Sequence, residues 1–465
     1  MLIKRLIFGL VSIFFFLEIS SVSVLATPPK QAKGAHSSGG SGVDRDYDDI
    51  QKTRYFAEGY TGYSSNWISI FNITGVHQFV SVRCYDDMGE SWFASVEVGS
   101  GLNYRKAINL NAFIPAGRSI ATKVVAPSGD IMAERATYKG QEGSCSSGTG
   151  NPHYMMYFAE GYSGHDVYIS IFNTSTSSRN YDLTFYGESG PIRMVTIYGI
   201  PPQRRATVKA DDYIPGYQGF STIVSDRGMN SVLVAERSSY VGTIAMSSSG
   251  TYSPFVIGDP QYPSFCAEGY TDFDNFIAIQ NLGPLSGTWR VEYRKDSGNA
   301  EIQYAHIQKW SRGTTSEQYQ NSKPHTDISE VVYQQTQYIE PCCDYSAERA
   351  SYFGSWGTSN EAHHFLRQRE TWYFSEVYLG HDVYFSIYNY NPGRIKIYIR
   401  YYTDLFGPLP IKSIYVDGGA RYTIHVNSEA INDLRWGSFP CSCGVKIWTT
   451  QPLGGFAVER TSYFN

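Results

Sequence analysis

Short runs of alternating apolar and polar residues recur along the chain, with turn residues between them. Residues 67–72 alternate in this way, and residues 79–85 place Val80, Val82 and Cys84 on one face. Successive residues of a strand point to opposite faces of a sheet, so each run predicts a half-buried strand. Strands about every 8–12 residues with Gly, Pro and Asp between them are typical of an antiparallel sandwich. No stretch keeps a long 3.6-residue apolar period, which predicts that helices are minor.

A six-residue phrase centred on a glutamate occurs four times, and we call it the start phrase. It occupies residues 55–60, 157–162, 265–270 and 373–378. Its glutamates are 102, 108 and 108 residues apart. A fixed period of this length indicates tandem units, each of a common domain size. The fourth copy has Val377 where the other three have Gly, so we expect a different turn after it.

A second phrase, which we call the end phrase, contains Glu-Arg and ends in Tyr. It occupies residues 133–138, 235–240, 347–352 and 458–463. A buried carboxylate is costly unless it is paired, and an arginine fork can hold one by two hydrogen bonds. We therefore predict a structural ion pair inside each unit, between its start-phrase glutamate and its end-phrase arginine. The four pairs are Glu58 with Arg135, Glu160 with Arg237, Glu268 with Arg349, and Glu376 with Arg460. In the alternative, the arginine faces solvent and the glutamate caps a turn.

These patterns predict an all-β chain of four tandem antiparallel β-sandwich domains. The predicted segments are a signal peptide at 1–26, a disordered linker at 27–53, and repeats at 54–148, 149–258, 259–362 and 363–465.

The N-terminus has the features of an export signal. Lys4 and Arg5 precede an apolar run at residues 6–17, and small residues at 24–26 suit cleavage. The alternative is an uncleaved anchor helix, although the run is short for a bilayer span. We expect a secreted, extracellular or cell-surface protein with no membrane span after cleavage.

Composition narrows the class of partner. The 465 residues carry a net charge of −5, which argues against nucleic acid because such binding needs basic patches. Charged residues make up 17% and aromatic residues 15%, with 38 Tyr. Tyrosine suits half-buried strands and binding faces alike.

The chain has seven cysteines, an odd number that suits an oxidising compartment but leaves at least one unpaired within the chain. Cys266 lies in the third start phrase, and Cys342 and Cys343 precede the third end phrase. If the first and last strands of that unit are neighbours, Cys266 can reach one of the other two. We predict a disulfide between Cys266 and either Cys342 or Cys343.

The two phrases resemble a family of bacterial secreted repeat domains of unassigned function. Its domains open with aromatic-Ala-Glu-Gly-Tyr-Thr, continue into a strand that ends in Asn, and close with Ala-Glu-Arg before an aromatic residue. The resemblance covers nearly all of residues 54–465. It implies Ig-like domains on an exported, often cell-surface, protein, and it implies no particular reaction.

Catalysis and metal binding are the weaker interpretations of the repeated polar residues. Glu, Tyr and Arg together could form a sialidase-type site, but a trio repeated in every unit is typical of a structural motif. His165-Asp166 and His381-Asp382 supply two ligands each, too few for a metal site. We therefore expect no catalytic residue, no metal and no cofactor.

The function predicted from the sequence is an adhesion or glycan-binding array, in which several weak sites in a row gain avidity. The alternatives are a structural spacer or subunit of an extracellular or envelope assembly and, more weakly, a glycan-acting enzyme. The expected partner is a cell-surface glycan or protein, or other copies of the chain, but not nucleic acid.

Overall fold

The structure is a computed structural model of the chain. It describes residues 35–38 and 52–463, apart from gaps at 100–103, 140–141, 215, 217, 242–243, 251–262, 271–272, 296–299, 317–326, 336–344, 354–355, 362, 365–369, 405, 431–440 and 452–454. The predicted signal peptide lies outside the described residues. In the described part, no helix is both long and apolar enough to cross a membrane.

The chain is all-β, with 66% strand and 3% helix. Each of the four units builds two small sheets, and the chain crosses repeatedly between them. We call the sheet that contains the start phrase the start sheet, and the one that contains the end phrase the end sheet. In the residues that the structure describes, the helical segments are two 3-10 turns, Leu110–Ala112 and Ala210–Asp212, and one short α-helix, Val426–Ala430.

The first two units have the same strand plan. The start sheet of the first unit has the order β2 (Thr53–Phe56), β7 (Ile120–Val125), β4 (Gln78–Asp86), β5 (Ser91–Val98). Its end sheet has the order β6 (Arg105–Asn109), β3 (Ser65–Asn72), β8 (Ile131–Lys139), β9 (Glu142–Ser146). The start sheet of the second unit has the order β10 (Met155–Phe158), β15 (Ser221–Asp226), β12 (Arg179–Gly187), β13 (Gly190–Ile200). Its end sheet has the order β14 (Arg204–Lys209), β11 (Asp166–Asn173), β16 (Leu233–Val241), β17 (Ile244–Ser248).

The last two units repeat the plan with small additions. The start sheet of the third unit has the order β21 (Ala300–Ile307), β20 (Gly287–Lys295), β23 (Ile328–Gln335), β18 (Ser264–Cys266), β26 (His363–His364). Its end sheet has the order β22 (Ser311–Ser316), β19 (Asp274–Asn281), β24 (Tyr345–Phe353), β25 (Trp356–Glu361). The start sheet of the fourth unit joins β27 (Thr371–Tyr378), β33 (Ser442–Thr449) and β29 (Ile395–Thr403), with β30 (Gly407–Pro408) and β31 (Lys412–Val416) on β29. Its end sheet joins β32 (Arg421–His425), β28 (Asp382–Tyr388) and β34 (Ala457–Tyr463).

A strand from the N-terminal region completes the last sheet. β1 (Ala35–Ser38) pairs antiparallel with β34, so that Ala35 lies opposite Tyr463 and Ser38 opposite Arg460. At Ser38 it also pairs with β9 of the first unit. This strand lies within residues 27–53, which the sequence predicts to be a disordered linker. It therefore connects the fourth unit to the first.

Every unit has a core between its own two sheets, and its sheets also pack against the neighbouring units. In the first unit, Phe56, Ile68 and Val80 are fully buried between the start and end sheets. The start sheet of each unit then packs on the end sheet of the next, as where Ala57 meets Phe172. Other such contacts are Tyr157 with Leu282, Phe265 with Tyr388 at 5.6 Å between ring centres, and Phe71 with Tyr373 at 6.1 Å.

The contact of Phe71 with Tyr373 joins the fourth unit to the first, so the eight sheets form a closed ring. The architecture is an eight-bladed β-propeller of small sheets. The prediction of four tandem Ig-like sandwiches is therefore wrong, although the prediction of an all-β chain is confirmed. The alternating pattern identified strands with one buried face inside a unit. It did not reveal that the opposite faces are covered by the next unit.

The fourth start phrase differs where Val377 replaces glycine. In the first copy, a Cβ on Gly59 would lie 2.8 Å from a side-chain carbon of Ile120, which leaves no room for a larger residue. In the fourth copy the strand β27 continues through Val377 to Tyr378, with a bulge between Phe374 and Val377. The bulge accommodates the side chain that the other three copies exclude.

Candidate functional site at the interfaces between units

The start and end phrases meet at the four interfaces between units. At each one, the backbone N–H of the start-phrase glutamate donates a hydrogen bond to the end-phrase glutamate of the next unit. The four bonds run from Glu58 to Glu236 at 2.6 Å, from Glu160 to Glu348 at 2.6 Å, from Glu268 to Glu459 at 3.1 Å, and from Glu376 to Glu134 at 2.6 Å. The last bond closes the ring.

The end-phrase arginine of each unit pairs with the same carboxylate of the next unit. The distances are 3.4 Å for Arg135–Glu236, 2.6 Å for Arg237–Glu348, 3.0 Å for Arg349–Glu459 and 3.0 Å for Arg460–Glu134. All eight side chains are buried. The repeated glutamates and arginines are thus the residues that hold neighbouring units together.

These pairs cross between units, whereas the sequence analysis predicted pairs inside one unit. Arg237 also lies 3.6 Å from the carboxylate of Glu160, so in the second unit the predicted contact accompanies the crossing one. Within their own units, Arg237 and Arg460 donate to the backbone carbonyls of Glu160 and Glu376. Strand alternation predicts the face of the strand on which the arginine lies. It does not predict that this face is turned toward the neighbouring unit.

A second set of contacts holds the start-phrase carboxylate at three interfaces. A serine hydroxyl donates to the carboxylate, and an arginine donates both to that hydroxyl and to the carboxylate. The three sets are Glu58 with Ser170 and Arg205, Glu268 with Ser386 and Arg421, and Glu376 with Ser69 and Arg105. The arginine–glutamate distances are 3.1, 3.1 and 2.7 Å respectively. We call this arrangement the serine bridge.

The interface between the second and third units lacks the serine bridge. Ala278 occupies the position of the serine, and Arg312 occupies that of the arginine, opposite Gln280 in the strand register. Within the described part of the chain, Arg312 forms no hydrogen bond or ion pair, and its Nε is a buried atom without a partner. A Cβ on Gly219 would lie 1.8 Å from its Nη1, so the guanidinium occupies space that a side chain at 219 would fill.

A cavity of about 410 Å³ lies where the bridge is missing. Glu160, Arg312 and Ala278 line it, together with His165, Glu188 and an aromatic wall. The wall consists of Tyr162, His165, Tyr352 and Phe276, whose successive ring centres are 5.0, 5.7 and 5.8 Å apart. Tyr162 and Glu188 are exposed at its mouth, so the cavity opens to solvent.

Burial disfavours the charged forms of the ionisable groups in the cavity. Burial raises the pKa of Glu160, against the opposing effect of Arg237, and burial lowers the pKa of Arg312 despite the nearby Glu160. Burial and Arg237 lower the pKa of His165 to about 4, so its imidazole is neutral at neutral pH. Glu160 and Arg312 are 7% and 5% exposed, and Oε2 of Glu160 accepts no hydrogen bond. A buried polar group without a hydrogen bond costs about 1–3 kcal/mol, and more if it is charged. A ligand that forms hydrogen bonds with both Glu160 and Arg312 would remove this cost and would therefore bind more tightly.

The two His-Asp pairs of the sequence, at 165–166 and 381–382, do not form a metal site. Among the described residues, no group of three or more potential ligands could hold a metal ion. Asp166 pairs with Lys209 at 2.6 Å, and the ring of His381 packs on Tyr138 and Tyr378. His165 is the member of this group that lines the cavity.

The predicted disulfide is not formed. Cys266 is a free thiol, fully buried in the core of the third unit, where burial raises its pKa well above the ordinary value. Cys342 and Cys343 lie outside the described residues. Cys266 is on the short strand β18, which pairs with β23 and β26 and not with the end-phrase strand β24.

Sequence reasoning missed the serine bridge and its absence at one interface. The signal was present in the strand that leads to the repeated asparagine of each unit. Three units have Ser-Ile there, at Ser69, Ser170 and Ser386, and the third has Ala278-Ile279. A small residue between two large apolar residues has the pattern of an ordinary strand position, because its polar partner, the glutamate, comes from a different unit.

No family model matches the chain, and no curated protein matches it. Solved structures resemble it weakly. A tetra-tandem repeat from the extending region of a large adhesion protein is 12% identical, covering 84% of this chain and 90% of that one, with a TM-score of 0.11. An α-L-rhamnosidase of Streptomyces avermitilis is 7% identical over 90% of this chain and 57% of that one, with a TM-score of 0.14. A family 32 glycoside hydrolase of Bifidobacterium adolescentis is 8% identical over 89% and 99%, with a TM-score of 0.15. Scores this low carry no argument about fold or function.

Proposed function

We propose that this protein is a secreted or cell-surface, non-catalytic binding protein, that its ligand is a glycan, and that the cavity between the second and third units is the binding site. The observation that carries the proposal is the combination, in one open cavity, of aromatic rings with two buried atoms that form no hydrogen bond, Oε2 of Glu160 and Nε of Arg312. Its volume falls within the range of about 300–1,000 Å³ that is usual for small-ligand sites. Aromatic faces beside convergent donors and acceptors suit the mixed apolar and hydroxylated surface of a sugar.

The structure changes how the repeats would contribute to binding. The sequence predicts an array in which each unit offers an equivalent weak site. Three of the four equivalent interfaces are instead filled by a serine bridge. We therefore assign the repeated phrases to ring assembly and the departure at Ala278 to binding.

A glycan array with the labelled full chain tests the proposal. Phe276→Ala removes one ring of the aromatic wall and should lower binding about tenfold or more, because the loss of an aromatic contact and its buried area exceeds about 1.4 kcal/mol. Phe93→Ala is the matched control, because Phe93 is 58% exposed on β5, away from the cavity. Absence of binding to every glycan, or equal binding by Phe276→Ala, would contradict the proposal.

A structural subunit of an extracellular assembly is the second candidate. Large apolar side chains are exposed on the outer strand of the start sheet in every unit: Phe93 on β5, Met194 and Tyr198 on β13, Tyr304 on β21 and Tyr415 on β31. Edge strands with exposed apolar residues favour association. Concentration-dependent self-association in sedimentation, together with a blank glycan array, would favour this role. Release of reducing sugar from a bound glycan would instead favour an enzyme.

A further inference from the structure

A serine hydroxyl performs the same task at three of the four interfaces. It donates to the start-phrase carboxylate and accepts from the neighbouring arginine, with Nη2–Oγ distances of 2.5 Å for Arg205, 2.6 Å for Arg421 and 3.0 Å for Arg105. Only a group that both donates and accepts can lie between a carboxylate and a guanidinium in this way. A hydroxyl group has that capacity.

At the fourth interface the carboxylate and the guanidinium remain, but the hydroxyl is absent. The strand register shows the equivalence, because Arg105, Arg205, Arg312 and Arg421 lie opposite Phe71, Phe172, Gln280 and Tyr388, each two residues after the serine or alanine. Glu160 and Arg312 are both more than nine-tenths buried and line the cavity. A cavity of about 410 Å³ is far larger than the roughly 10–15 Å³ that holds one water, so a single bridging water does not fill it.

We propose that a hydroxyl group of a neutral sugar takes the place of the missing serine, accepting from Arg312 and donating to Glu160. This inference rests on the proposed function and specifies its ligand class. The aromatic wall lies beside the same space, where Phe276 and Tyr352 can cover the C–H face of the ring. The ligand is neutral because a carboxylate on it would face two carboxylates of the lining, Glu160 and Glu188, against the single guanidinium of Arg312. The nearby Arg237 is already paired with Glu348.

The experiment restores the hydroxyl to the protein. Ala278→Ser rebuilds the bridge seen at the other three interfaces, so this variant should fold with unchanged or higher thermal stability. The hydroxyl should then occupy the place of the sugar and lower its affinity about tenfold or more. Ser170→Ala is the matched control, because it makes the reverse change at the interface of the first two units and leaves the cavity intact.

Binding is measured on the full chain by saturation-transfer NMR and calorimetry. The probes are glucose, galactose, mannose and N-acetylglucosamine, with glucuronic acid as the charged comparison. We expect a neutral sugar to bind the wild type and Ser170→Ala equally, and Ala278→Ser weakly. A deoxy series of that sugar should then identify one hydroxyl whose removal costs as much affinity as Ala278→Ser does.

Two results separate this inference from the proposed function. If a neutral sugar binds Ala278→Ser as tightly as the wild type, the bridging hydroxyl is wrong and glycan binding stands. If glucuronic acid binds more tightly than every neutral sugar, the neutral class is wrong and glycan binding again stands. If none of these sugars and no arrayed glycan binds the wild type, both proposals fail.

Discussion

The contact that closes the ring offers the sharpest test of the architecture. Arg460 of the fourth unit pairs with Glu134 of the first at 3.0 Å, and the two side chains are 0% and 1% exposed. Glu134 also accepts hydrogen bonds from the backbone N–H groups of Ser375 and Glu376, at 2.7 and 2.6 Å. We perturb the pair with Arg460→Met and Glu134→Gln, singly and together.

Each single substitution leaves one buried charge without its partner. Breaking a buried ion pair from one side typically costs about 3–5 kcal/mol, a large share of the roughly 5–15 kcal/mol that stabilises a typical domain. Arg460→Met leaves the Glu134 carboxylate with hydrogen bonds but without a compensating charge. In the double variant neither charge remains, so its cost should be less than the sum by about 0.5–3 kcal/mol.

The assay is equilibrium unfolding of the full chain in urea for the four proteins. The control is Arg394 with Asp417, a surface pair at 3.2 Å in which the side chains are 62% and 76% exposed. The same cycle there should give a coupling of about 0–1 kcal/mol. A coupling at Arg460 and Glu134 within about 0.3–0.5 kcal/mol of zero would mean that these two side chains do not interact, and would refute the ring-closing ion pair.

Two further predictions concern ionisable groups. His165 has its pKa lowered to about 4 in the folded protein from the ordinary 6.5, so the unfolded chain binds its proton first and stability should fall as pH drops from 6.5 toward 4. His165→Gln should flatten that part of the curve of unfolding free energy against pH. The raised pKa of Glu160 affects the wild type and the variant alike. If the unfolding free energy changes between pH 7 and pH 4 by the same amount in the wild type and in His165→Gln, the prediction is wrong. The thiols of Cys84 and Cys266 are fully buried, and burial raises the pKa of Cys84 to about 12, so iodoacetamide at pH 8 should label both only after denaturation. If peptide mapping without reductant finds Cys266 joined to Cys342 or Cys343, Cys266 is not a free thiol and this prediction is wrong.

The sequence by itself determined the period, many of the strands, and the repeated glutamates and arginines of the two phrases, but not the serine bridge. The strand β3 (Ser65–Asn72) contains the predicted run 67–72, because alternation records which residues face a core. The glutamates and arginines of the two phrases recur because each interface needs the same pairing of buried charges. This requirement therefore places the same residue type at the same position in every unit.

Only the tertiary structure decided which unit supplies the partner. Arg135 has the same strand face whether it meets Glu58 of its own unit or Glu236 of the next, so alternation could not separate an open string from a closed ring. The cavity depends on the same information: Ala278 is unremarkable within its strand, and it opens a site because Glu160 approaches it from another unit. Side-chain periodicity describes the two faces of one strand, whereas a propeller covers both faces with sheets that are distant in the chain.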